Sequence, residues 1–262
     1  MALIHVSMYA NTLKRNTSFH VLTPDREPGY LRRPPLLVLL HGWAGNHHDW
    51  LLGSDMARHV QERGLVVVLP SGENHFYLDD EETEEFHSRW LVDELPRSLE
   101  TLFGITWDRR RCYLGGYSMG GYGALRNGLA FPDRFGGLIG LSSALITREI
   151  SALKPGDRTP YAGYGYYRQV FGDLTTLIGS DRDVEALVAR SALDQGQLPR
   201  IYMACGTEDF LLEENRSLHR CLKAYGVPHL ALETQGGHDF AFWTSQISQA
   251  IAWMFEEQAQ WS

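Results

Sequence analysis

Residues 111–130 read RCYLGGYSMGGYGALRNGLA. A short apolar run, Arg111–Gly115, leads into Gly116-Tyr117-Ser118-Met119-Gly120 and then into a small-residue segment, Gly120–Ala130, with helical periodicity. That order predicts a strand, a sharp turn and a helix. A serine at the apex of such a turn is held in a strained backbone conformation that pushes its hydroxyl away from the sheet. Gly116 and Gly120 leave room for the chain to reverse, and Gly121 and Gly123 let the helix pack closely on its neighbours. The helix start adds free N–H groups and the positive end of a dipole beside the hydroxyl. A second stretch, Gly140-Leu141-Ser142-Ser143-Ala144, also follows a strand, but no glycine-rich amphipathic helix comes after it. Ser142 and Ser143 therefore read as strand-end polar residues near the site, and Ser118 as the nucleophile.

Working outward, apolar runs predict strands at Ile4–Tyr9, Ser18–Thr23, Pro35–Leu40, Leu65–Leu69, Phe135–Leu141, Arg200–Cys205 and Leu230–Thr234, besides the one before Ser118. Helical patterns fall at about Trp50–Arg63, Phe86–Leu102, Leu212–Tyr225 and Phe240–Gln258, besides the one after it. Runs such as PLLVLL and LVVVLP are apolar throughout, as expected where helices cover both faces of a sheet. Two opening strands followed by strand–helix alternation predict an α/β fold: a mostly parallel, doubly wound sheet of about eight strands with an antiparallel edge. With no repeat and no linker, residues 1–262 read as one domain, interrupted by lid-like excursions at 71–85 and 146–197.

The 262 residues are 44% hydrophobic and 21% charged, which excludes disorder, and a net charge of −8 disfavours nucleic acid and anionic membranes as partners. Cys112, Cys205 and Cys221 cannot all pair in one chain and match no zinc spacing. No basic segment followed by an apolar core opens the chain, and the longest aliphatic run, Leu36–Leu40, is far short of a membrane span. A cytoplasmic setting is expected.

A serine hydroxyl needs a base to remove its proton. In the order characteristic of α/β-hydrolases, the acid and then the histidine follow the serine, each at the end of a strand. IYMACG ends in Thr207-Glu208-Asp209-Phe210, and LALETQ ends in Gly236-Gly237-His238-Asp239. Asp209 is preferred to its neighbour Glu208 because the acid must orient the imidazole from this loop. His219 lies inside a predicted helix, and His229 opens a strand at the wrong end of the sheet. Two amides must face the charge that develops on the substrate. Met119, next after Ser118, supplies one; the loop His41-Gly42-Trp43-Ala44-Gly45 supplies the other through Trp43. No cysteine or carboxylate cluster at ligand spacing accompanies His41, His47 and His48, so no metal site is expected.

With these residues in place, LLVLLHGWAGNHHDW, GGYSMGGYGAL, CGTEDF and GGHDFAFW resemble the esterase D / tributyrin esterase group of α/β-hydrolases, similar also to carbohydrate esterase family 1. The four blocks occur in the group's order, and the likeness spans nearly the whole chain. It implies Ser118, Asp209 and His238 as triad, Trp43 and Met119 as oxyanion amides, hydrolysis of short-chain acyl esters, and no cofactor. The S-formylglutathione hydrolase branch usually carries a cysteine after the His-Gly motif, and this chain has none there. An acetyl or feruloyl carbohydrate esterase is a further alternative, and a non-catalytic hydrolase-fold binding protein a remote one. The group often forms homo-oligomers.

Asp79–Glu85 is acidic at six of seven positions and reads as a solvated, mobile lead into a helix; the alternative is electrostatic steering at the cleft mouth. Phe76, Tyr77, Trp90, Tyr164, Tyr167 and Trp243, with Trp43, are candidate walls of the acyl or alcohol pocket.

Overall fold

A computed structural model describes residues 1–27, 29–193 and 197–256. The chain opens with an antiparallel hairpin, β1 (Ala2–Ala10) and β2 (Arg15–Thr23). It continues through β3 (Leu36–Leu40), helices α1 (Asp49–Gly53) and α2 (Met56–Arg63), and β4 (Val66–Pro70). A small hairpin, β5 (Asp79–Asp80) with β6 (Glu85–Phe86), precedes α3 (His87–Arg89), a π-helical turn at Trp90–Glu94, and α4 (Leu95–Phe103). Then come β7 (Cys112–Tyr117), α5 (Met119–Ala130), β8 (Gly137–Leu141), α6 (Thr147–Ser151), α7 (Tyr164–Phe171) and α8 (Val184–Leu193). The described chain finishes with β9 (Arg200–Gly206), α9 (Leu212–Ala224), β10 (His229–Thr234) and α10 (Phe240–Glu256).

Among the described residues, eight strands form one sheet in the order β1-β2-β4-β3-β7-β8-β9-β10. The first two pairings, β1 with β2 and β2 with β4, are antiparallel; every later one is parallel. The fold class is thus α/β, mostly parallel, with an antiparallel edge. β3 and β4 are buried at every position because alternate residues enter two separate cores. Leu36, Val38 and Leu40 join one that includes Leu95, Leu125 and Leu222; Leu37 and Leu39 join another that includes Val60, Ile247 and Ile251.

Local chemistry explains the departures from the sequence expectations. The run 50–63 is two helices, because Ser54 is extended and the Asp55 carboxylate, paired with Arg58, heads a new one. Asp79–Glu85 is no plain solvated lead. Asp80 is buried and accepts the Glu82 and Thr83 amides, and Asp79 accepts those of Ser88 and Arg89 at the start of α3. The span 146–197 holds the helices α6, α7 and α8; its residues 194–196 lie outside the described residues, as does the expected end of the last helix at Gln258. No described helix is long and apolar enough to cross a membrane.

A close backbone-to-backbone approach of helix to sheet lies where α5 starts. A Cβ on Gly116 would stand 2.5 Å from the Gly120 backbone, and one on Gly120 would stand 2.6 Å from the carbonyl oxygens of both Leu40 and His41. Replacing Gly120 by alanine must therefore push α5 away from β3. Gly120→Ala is expected to lose about 1–3 kcal/mol in urea unfolding. Gly165→Ala, whose Cβ meets nothing within 4 Å, is expected to change stability by less than about 1 kcal/mol, in the stabilising direction.

Candidate active site

Ser118 stands at the junction of β7 and α5 with φ 54° and ψ −119°, a region that non-glycine residues rarely occupy. Three backbone bonds hold it there: its N–H donates to Leu141 O at 2.9 Å, and its carbonyl accepts from Tyr122 N at 3.0 Å and Ala144 N at 2.9 Å. The strain is thus maintained by β8 and α5 together, and it carries the hydroxyl off the end of the sheet.

Asp209 follows β9 and His238 follows β10. The loops that bear them are tied by Thr207 N donating to Thr234 O and Glu208 N to Gly236 O, both at 2.9 Å. His238 Nδ1 lies 2.9 and 3.1 Å from the two Asp209 oxygens, and its Nε2 lies 3.0 Å from Ser118 Oγ. The carboxylate can only accept, so Nδ1 carries the proton and Nε2 offers its lone pair to the serine hydroxyl. Burial pushes the Asp209 carboxyl up. Hydrogen bonds from His238, the Ser142 hydroxyl and the Leu211 amide outweigh it and hold the group below the usual carboxylate range. The three side chains form one continuous relay. Glu208 is exposed, and His219 and His229 bond each other at 2.7 Å.

Met119 opens α5, so its amide is among those a helix leaves without an intrahelical acceptor. Because Gly120 abuts Leu40 and His41, this amide sits where β3 runs into the Gly42–Gly45 turn that carries Trp43. Two further groups pin that turn. Asn74 Oδ1 accepts the Ala44 amide at 2.7 Å, and the Trp43 indole donates at 3.0 Å to the Tyr166 hydroxyl, which donates in turn to Asn74 O. His41 is scaffolding: its Nε2 accepts the Gly72 amide at 2.9 Å and its Nδ1 donates to Gly42 O at 2.7 Å.

A cavity of about 230 Å³ opens over Ser118 and His238. Of the aromatic wall candidates, Trp43, Phe76, Tyr167 and Trp243 line it; Tyr77, Trp90 and Tyr164 do not. Tyr77 is buried against Gly123 of α5, its hydroxyl bonded to the His41 backbone, and Trp90 turns inward beside Phe19. Tyr164 packs on the core at the start of α7. A larger polar groove of about 490 Å³, lined by Arg148, Glu149, Glu185 and Glu213 among others, contains none of the three relay residues.

The family described as "Putative esterase" matches residues 10–254. This chain belongs to that esterase family. An acetyl esterase of Caldicellulosiruptor saccharolyticus is 44% identical over 261 residues, covering 97% of this chain and 98% of the relative. Two solved structures from Staphylococcus aureus share the fold. One is the fluorophosphonate-binding serine hydrolase FphF (23% identity, 97% and 98% of the two chains, TM-score 0.85). The other is the S-formylglutathione hydrolase FrmB (23% identity, 97% and 98%, TM-score 0.84). The protein is accordingly an ester hydrolase of the α/β-hydrolase fold acting on a small-molecule ester.

Sequence reasoning missed several parts of the esterase's site. Tyr117, Tyr161, Tyr166 and Phe210 all line the cavity, and the Phe210 ring lies 4.5 Å from that of His238. Phe210 had a signal in its position next to Asp209, and Tyr161 and Tyr166 in the aromatic density of TPYAGYGYY. Ser142 was read only as polar, yet it accepts the Trp243 indole N–H at 3.1 Å while bonding Asp209. Tyr166 joins the two excursions to the Trp43 turn. Tyr166→Phe removes that hydroxyl and keeps the ring. Steady-state kinetics are expected to show kcat down about tenfold, short of the roughly 100- to 1,000-fold cost of losing an oxyanion donor outright, with KM changed less than about twofold.

Proposed function

We propose that this esterase is a serine carboxylesterase that removes short acyl groups, acetyl foremost, through an acyl-enzyme intermediate. The observation that carries the reading is the unbroken hydrogen-bond relay from Asp209 through His238 to Ser118. Ser118 Oγ attacks the ester carbonyl while His238 Nε2 takes its proton. Charge gathers on the carbonyl oxygen, where the amides of Met119 and Trp43 receive it. His238 then protonates the departing alcohol, leaving the acyl group on Ser118. Water, deprotonated by the same imidazole, attacks this second ester and frees the acid. Asp209 holds the ring in its Nδ1–H tautomer throughout and stabilises the imidazolium of each half-reaction.

The cavity supports the short-acyl assignment. At about 230 Å³ it is smaller than typical drug-sized pockets, and bulky rings such as Phe76, Tyr117 and Trp243 take up its walls. The 44% identity to an acetyl esterase favours the same acyl group. Residues 42–49 hold no cysteine, which favours the ester over the glutathione thioester. Three unpaired thiols, Cys112, Cys205 and Cys221, fit the reducing cytoplasm. The two excursions serve as cavity walls, with Phe76 from one and Tyr161, Tyr166 and Tyr167 from the other.

The test is a series of p-nitrophenyl esters from acetyl to decanoyl, run beside S-formylglutathione. The expected result is a steep fall in kcat/KM beyond about four carbons, with Ser118→Ala reducing every rate about a million-fold or to background. Undiminished turnover by Ser118→Ala would refute the relay, and a preference for long chains would refute the short-acyl reading.

A further inference from the structure

The search beyond the relay leads to the back of the Trp43 turn, where four imidazoles converge from distant parts of the chain. His5 on β1 and His20 on β2 stand opposite each other across the hairpin, with ring centroids 5.1 Å apart. His47 and His48, after the Trp43 turn, fold against them. His20 lies 4.8 Å from the His47 ring and 4.7 Å from that of His48, and His5 stacks on His47 at 5.5 Å. One ring nitrogen from each of His20, His47 and His48 lies within 4.8 Å of the other two.

Hydrogen bonding among the rings does not account for this packing. Among these rings only the pair His20 Nε2 and His48 Nδ1, 3.0 Å apart, is within bonding distance, while the Nδ1 atom of His47 is buried without a partner. Leaving such atoms unsatisfied is costly. Three imidazole nitrogens converging without a carboxylate match a borderline divalent cation such as Zn²⁺ rather than Ca²⁺ or Mg²⁺, which demand oxygen ligands.

We infer that His20, His47 and His48, with His5 at their edge, form a binding site for a divalent transition-metal ion, Zn²⁺ foremost, that clamps the loop following the Trp43 turn to the β1–β2 hairpin. The spacing in the chain gave no hint of it, since the ligands come from two strands and a loop, and His41, adjacent in sequence, takes no part. The ion is structural. Its position ties His47 and His48 to the sheet edge on the same loop that presents the Trp43 amide and Asp49, whose carboxylate accepts the Tyr117 hydroxyl at 2.6 Å.

A second triplet, His75, Glu85 and His87, is an internal control. Its carboxylate is already shared among His75 at 3.5 Å, His87 at 3.6 Å and Arg15 at 3.9 Å. That arrangement spends the charge within the protein.

The experiment uses the full-length protein freed of metal by chelation and titrated with Zn²⁺ alone by calorimetry. Co²⁺ is used in parallel for its visible absorption. One equivalent is expected to bind, the Co²⁺ form showing bands of nitrogen ligation. At about a hundredfold excess over Kd the Tm is expected to rise by about 5 °C. The double variant His47→Gln/His48→Gln, at positions half-buried and exposed, should fold and lose at least about tenfold in affinity. Glu85→Gln should bind as the parent does. Absence of stoichiometric binding, binding that survives in the double variant, or binding lost in Glu85→Gln would each overturn the assignment. None of these readouts depends on ester hydrolysis, so failure here is distinguishable from failure of the esterase reading.

Discussion

Everything at this site depends on how closely the first turn of α5 approaches the end of β3. With no side chain at 116 or 120, the chain leaves β7, reverses within one residue and lays the helix against the carbonyls of Leu40 and His41. Ser118 is the residue that absorbs the reversal, at φ 54°. The same contact brings the free amide at the helix start beside the turn that carries Trp43, so one packing event supplies a projecting hydroxyl and a free N–H next to that turn. Bonds from Leu141, Tyr122 and Ala144 to the Ser118 backbone mean that β8 and α5 both maintain the strained conformation.

Around that contact, orientation is fixed by polar groups outside the relay itself. Ser142 bridges the Trp243 indole and the Asp209 carboxylate, so the wall of the cavity and the acid of the relay share one hydroxyl. Asn74 and Tyr166 do the same for the Trp43 turn, each reaching in from a different excursion. The long irregular segments therefore build the cavity wall and brace the Trp43 turn at once. This explains why they are rich in buried polar bonds as well as aromatic rings.

The legible parts of the sequence were those whose signal is local. LLVLL and VVVLP announce strands covered on both faces, because each alternate residue must enter a core. Ser118 is readable from the strand before it and the small-residue helix after it, and Asp209 and His238 from their places at strand ends. The illegible parts depend on distant approach. Tyr77 and Trp90 look like cavity walls by composition, but Gly123 and Phe19, from other elements, draw them inside. Asp79 and Asp80 look like solvated charge until the amides of residues 82, 83, 88 and 89 are seen to need acceptors. Four histidines between positions 5 and 48 meet only because β1, β2 and the loop after β3 converge.

The central claim is that Ser118 and the amides of Met119 and Trp43 act on one tetrahedral centre. The most direct measurement is a crystal structure of the protein after reaction with a small alkyl fluorophosphonate. The account predicts phosphorus bonded to Ser118 Oγ and a phosphonyl oxygen about 2.7–3.1 Å from both amide nitrogens. An adduct on Ser142, Ser143 or any other residue, or a phosphonyl oxygen turned away from those amides, would contradict it.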